Sequence, residues 1–127
     1  MHAVKPILVF RNADLEKTRL FYEALGLTLV RELHEGCPPH YACDFGGALI
    51  EFYPASAKSP SVEPGQDLLM IFEVDRFDLV LDVCRQLRLK REPLTIYDPV
   101  RQLRVMTVRD PDGRRVHVRE IGRQPPH

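Results

Sequence analysis

The sequence predicts an α+β fold made of two tandem βαβββ modules, and the prediction starts from two internal matches. Phe10-Arg11-Asn12-Ala13-Asp14 follows a short apolar run and leads into a helical pattern; sixty-two positions later Phe72-Glu73-Val74-Asp75-Arg76 does so again. At that offset Leu15 falls on Phe77, Leu25 on Leu87 and Leu27 on Leu89. Downstream, Gly47 of Phe45-Gly46-Gly47 matches Gly113 of Asp110-Pro111-Asp112-Gly113 at an offset of 66, which places Glu51 on His117. A duplicated unit usually packs about a pseudo-twofold axis, so equivalent inward positions converge on one place.

The elements follow in order. Pro6 to Arg11 is a short extended run, Asp14 caps a helix over Leu15 to Leu25, and Gly26 ends it where a left-handed residue is needed. Strands are expected over Leu27 to Leu33, His40 to Phe45 and Ala48 to Tyr53, the last two joined by a tight hairpin at Gly46-Gly47. Residues 54–66, with three prolines and three serines, read as a linker, so 1–53 and 67–122 are the two modules of one 127-residue domain. In the second module Phe77, Val80, Leu81, Cys84 and Leu87 form one apolar helical stripe, with Asp75 as the expected cap. Strands are then expected over Leu94 to Tyr97, Leu103 to Arg109 and Arg114 to Ile121, the last two turning at Asp112-Gly113.

Composition narrows the class. Cys37, Cys43 and Cys84 are an odd number without metal-finger spacing, which favours reduced thiols and places Cys84 in a core stripe rather than at a nucleophilic site. The amino terminus has no apolar leader core, and no run approaches the roughly 18 apolar residues of a membrane span. A soluble cytoplasmic chain without a membrane partner is therefore expected. Formal net charge is zero, although seven arginines from Arg101 onward face only Asp110, Asp112 and Glu120. Such a cluster suits an anionic ligand, yet arginines on exposed strands are ordinarily just solvated. Nucleic acid is not an expected partner, because aromatic and basic residues do not interleave.

Strand alternation places the polar candidates. Val116 and Val118 go beneath the helices, leaving Arg115, His117 and Arg119 on the opposite face; Ile50 and Phe52 likewise leave Leu49, Glu51 and Tyr53 there. A partly apolar face opposite the helices suggests the lining of a concave cleft.

The run Asp14-Leu15-Glu16-Lys17-Thr18-Arg19-Leu20-Phe21-Tyr22-Glu23-Ala24-Leu25-Gly26-Leu27, followed by Asp110-Pro111-Asp112-Gly113, resembles the vicinal oxygen chelate superfamily of glyoxalase I, bleomycin resistance proteins and extradiol dioxygenases. The resemblance covers nearly the whole chain. It implies a glyoxalase-like fold whose modules form a curled mixed sheet with a central cleft. It also implies four equivalent positions for metal ligands, which fall on Ile7, Glu51, Leu69 and His117. Ile7 and Leu69 cannot ligate, and a catalytic divalent ion generally wants three protein ligands. No cofactor is therefore expected; if a divalent metal does bind, Glu51 and His117 are its ligands, with His40, Asp44, Glu73 or Tyr97 able to complete the set.

Three function classes stay open. A metal-free binding protein would hold a small aromatic or anionic molecule, with apolar contact from Ile7, Leu49, Tyr53 and Leu69 and polar contact from Arg11, Glu73, Arg115 and Arg119. An enzyme of lyase, isomerase, epimerase or dioxygenase type would use Glu51 and His117 as its acid–base pair, with or without a metal. A ligand-free structural module is the third. The resemblance implies a homodimer, side by side or with modules swapped, in each case.

Overall fold

The computed structural model describes residues 4–61 and 68–122. The first module runs β1 (Ile7–Asn12), α1 (Leu15–Leu25), β2 (Val30–Glu32), β3 (His40–Phe45) and β4 (Ala48–Pro54). The second runs β5 (Leu69–Val74), α2 (Phe77–Gln86), β6 (Thr95–Asp98), β7 (Leu103–Arg109) and β8 (Arg115–Glu120). Each module has its own four-stranded mixed sheet, ordered β1-β4-β3-β2 and β5-β8-β7-β6. The parallel ladders share one register: Ile7 lies beside Leu49 as Leu69 lies beside Arg115, which sets Val9 beside Glu51 and Ile71 beside His117. β2 is shorter than expected, because only Val30 to Glu32 pair with β3 while Leu27 turns into the core. β4 extends to Pro54, and residues 62–66 of the expected linker lie outside the described residues.

The ends of the helices show the duplication at atomic detail, including where it has diverged. Asp14 Oδ1 accepts from the Glu16 and Lys17 amides at 3.1 Å each, as a cap should. The corresponding cap of α2 is Arg76, which bonds nothing through its side chain; Asp75 lies one residue too early to serve, so the expected cap is corrected. At the other end Gly26 takes φ +112°, with Gly26 N donating to Glu23 O and Leu27 N to Tyr22 O. The same two bonds recur as Arg88 N to Arg85 O and Leu89 N to Cys84 O, with Arg88 held at φ +55°. A side chain in that left-handed well costs roughly 1–2 kcal/mol, which glycine avoids. Because Arg88 is exposed, Arg88→Gly is expected to raise unfolding stability by about 1 kcal/mol in a urea titration.

One core spans both modules. Phe10, Phe21, Tyr22 and Phe52 from the first pack with Phe77, Val80, Val116 and Val118 from the second. The crossing is reciprocal: Arg114, ahead of β8, lays its guanidinium 4.7 Å from the Phe10 ring, while Phe45, at the end of β3, meets Phe72 with ring centroids 6.4 Å apart. Cys84 lies on the buried stripe of α2, and burial pushes its thiol up to about 11, so it is core rather than a nucleophile. The two hairpins differ: Gly46 and Gly47 both have positive φ, whereas only Gly113 does in the second, where Gly113 N donates to Asp110 O. That second turn is a three-residue loop closed by a left-handed glycine rather than a two-residue turn.

Candidate functional site

The helix-free face of the first sheet carries a compact polar cluster at one end. Glu32 pairs with His40 across the β2–β3 ladder, and Glu51 lies on β4 opposite Ala42. Paired residues share a face, so the three side chains converge. The His40 ring is completely buried and stacks on Tyr53, centroids 4.1 Å apart and planes 12° from parallel. Its Nδ1 lies 3.0 Å from Pro38 O, and its Nε2 lies 3.3 Å from Glu32 Oε2 and 3.4 Å from Glu51 Oε2 without making a hydrogen bond. Tyr53 donates its hydroxyl to Glu51 Oε2 at 3.2 Å, and Arg11 stacks 4.8 Å above the Tyr53 ring. Burial and then the Glu51 carboxylate hold the Tyr53 phenol above its ordinary pKa. His34 Nε2 sits 2.7 Å from Glu32 Oε2, and this hydrogen bond keeps the Glu32 carboxyl below the usual carboxylate value.

The matching face of the second sheet is built differently. His117 Nδ1 lies 3.3 Å from Thr107 Oγ1, and desolvation followed by the Arg119 charge lowers the imidazole pKa below 6.5. The fold therefore favours neutral His117, and the stability it contributes is present above about pH 6.5 and lost as pH falls. Arg119 stacks 5.8 Å from the Tyr97 ring, and Tyr97 donates to the Glu120 carbonyl.

Glu51 and His117 thus have separate partners, and among the described residues no hydrogen bond or ion pair joins them. Around them the face is apolar: Ile7, Val9, Leu69 and Ile71 are 55, 49, 42 and 50 % exposed. The aliphatic side chains at Ile7 and Leu69 offer no lone pair, so the four equivalent positions hold one carboxylate and one imidazole. They do not supply the three protein ligands that a catalytic divalent ion generally wants. Of the residues able to complete a set, His40 lies within reach of Glu51, whereas Asp44 and Glu73 join no cluster of candidate ligands among the described residues and the Tyr97 hydroxyl donates to the Glu120 carbonyl. The convergence of Glu32, His34 and His40 was missed from sequence. Its signal is Glu32-x-His34 at strand spacing, then the short loop Glu35-Gly36-Cys37-Pro38-Pro39 and His40 opening the next strand. Separately, a hollow of about 500 Å³ lies outside this face, lined by Lys17, Arg88, Lys90 and Arg109 with the Asp110–Gly113 turn.

Two βαβββ modules in tandem, with the polar positions of their last strands on the helix-free faces, define a glyoxalase-like protein. The sequence model of the Glyoxalase/Bleomycin resistance protein/Dioxygenase superfamily matches residues 4–118, and the chain belongs to that superfamily. No curated protein matches the sequence. Among solved structures it is similar to hypothetical protein SA1046 from S. aureus, at 15 % identity and TM-score 0.68 over 95 % of each chain. It is also similar to the fosfomycin resistance protein FosX from Mesorhizobium loti, at 16 % identity and TM-score 0.62 over 96 % of this chain and 94 % of that one. Lactoylglutathione lyase from Agrobacterium tumefaciens follows at 19 % identity and TM-score 0.52, over 94 % of each. At these identities the likeness is one of fold. No described helix is long and apolar enough to cross a membrane.

Proposed function

We propose that this chain is a small-molecule-binding protein that takes an aromatic or anionic ligand on the helix-free faces of its sheets, without the superfamily's four-position metal set. The observation that carries the reading is the exposure of Ile7, Val9, Leu69 and Ile71 on those faces. Large apolar side chains left open to water on a sheet face mark a binding surface more often than single scattered ones do. Arg11 and Arg119, each stacked on a tyrosine, flank it with positive charge suited to a carboxylate or phosphate. A homodimer belongs to the same reading, since a second copy would enclose the exposed faces. The test is a thermal-shift screen of aromatic carboxylates and phosphates. At least one is expected to stabilise the parent, with the stabilisation lost in Arg119→Gln; a panel that leaves the melting temperature unmoved contradicts the proposal.

One observation favours an enzyme as the second reading. Glu51 lies within reach of both the Tyr53 hydroxyl and the His40 imidazole, a carboxylate–phenol–imidazole set able to move a proton in an isomerase or lyase. Under that reading Glu51→Gln abolishes turnover of a ligand it still binds.

A further inference from the structure

We propose that Glu32, His34 and His40 form a binding site for a divalent transition-metal ion of the zinc class, sharing with the four positions the superfamily uses only the neighbouring carboxylate of Glu51. Their ligand atoms all lie within 4.8 Å of one another. Ligands about 2.0–2.2 Å from a tetrahedral zinc stand roughly 3.3–3.5 Å apart. His40 Nε2 lies at such a spacing from Glu32 Oε2, 3.3 Å, and from Glu51 Oε2, 3.4 Å.

The state of His40 points to a ligand independently of those distances. Its side chain is fully buried, and Nε2 makes no hydrogen bond. Nδ1 lies 3.0 Å from the Pro38 carbonyl, a group that only accepts, so Nδ1 donates there, and Nε2 is left beside two carboxylate oxygens with a hydrogen bond to neither. A buried ring nitrogen left without a partner beside two carboxylates is the setting that a bound cation would complete. A backbone carbonyl on the far nitrogen is also the usual way a ligating histidine is oriented. Glu32 and Glu51 together match the charge of a divalent ion, and two imidazoles with carboxylate oxygen favour zinc over magnesium or calcium. His34 is 58 % exposed, so it can open its 2.7 Å contact with Glu32 to admit the ion.

The inference does not rest on the ligand-binding reading, and its test uses metal alone. Zn²⁺ is titrated calorimetrically into the full chain after chelator treatment, and Co²⁺ is added in parallel to read visible d–d absorption. One Zn²⁺ per chain is expected, with a dissociation constant below about 10 µM. His34→Ala and Glu32→Gln, both at exposed or half-exposed side chains and checked for folding by circular dichroism, are expected to weaken binding by about 100-fold or more and to abolish the cobalt spectrum. Glu23→Gln, at a carboxylate on α1 outside the site, is expected to bind as the parent does. Absence of stoichiometric binding by the parent overturns the proposal, as does binding that His34→Ala and Glu32→Gln leave within about threefold of the parent.

Discussion

Arg114→Met is expected to lower unfolding stability by about 3–5 kcal/mol, a large share of the roughly 5–15 kcal/mol a domain of this size holds. Arg114 and Asp110 are 1 and 0 % exposed at their side chains and pair at 2.9 Å. The same guanidinium donates to Asn12 Oδ1 at 3.0 Å and to the Arg11 carbonyl, so it ties the hairpin of the second module to the first strand of the first. Tyr22, on α1, donates its hydroxyl to Asp110 Oδ2 at 2.6 Å. Removing the arginine leaves a buried carboxylate without its cation, which costs more than the pair itself contributes. Urea denaturation checks the value. A loss below about 1 kcal/mol would mean that water enters and replaces the arginine.

Phe52→Ala is expected to cost about 3–5 kcal/mol in the same assay, through lost burial and the cavity left behind. Phe52 lies on β4 with no exposed surface, its ring 4.8 Å from Tyr22 and 5.8 Å from Phe10. Those two residues also meet the Asp110–Arg114 pair, so the cavity opens beside the inter-module joint. Ile7→Ala, on the exposed face, is expected to stay within about 0.5 kcal/mol of the parent.

Which parts of this were legible in the sequence follows from the range of the interactions. Alternation of Val116, His117 and Val118 put each side chain on its face, because a strand's two-residue period is local. Gly26 marked the end of α1 for the same reason, whereas Arg88 hid the equivalent cap by adopting a left-handed backbone without glycine. The α2 cap was misplaced by one residue, since Asp75 is the nearest side chain that caps well and the position itself holds Arg76. Arg114 has the parity of the buried valines, a charge on a core face, but its partners Asn12 and Arg11 lie more than a hundred residues away. The Glu32–His34–His40 cluster depended on the β2–β3 register, which hydrophobic pattern alone does not set for a three-residue strand.

The central claim is that the helix-free faces of the two sheets bind the ligand. Amide chemical-shift mapping by ¹⁵N NMR, with a stabilising compound from the carboxylate and phosphate panel, tests it directly. The account predicts the largest shifts at Ile7, Val9, Leu69, Ile71 and Arg119. Shifts centred instead on Lys17, Arg88 and Lys90, around the hollow on another part of the surface, would contradict it.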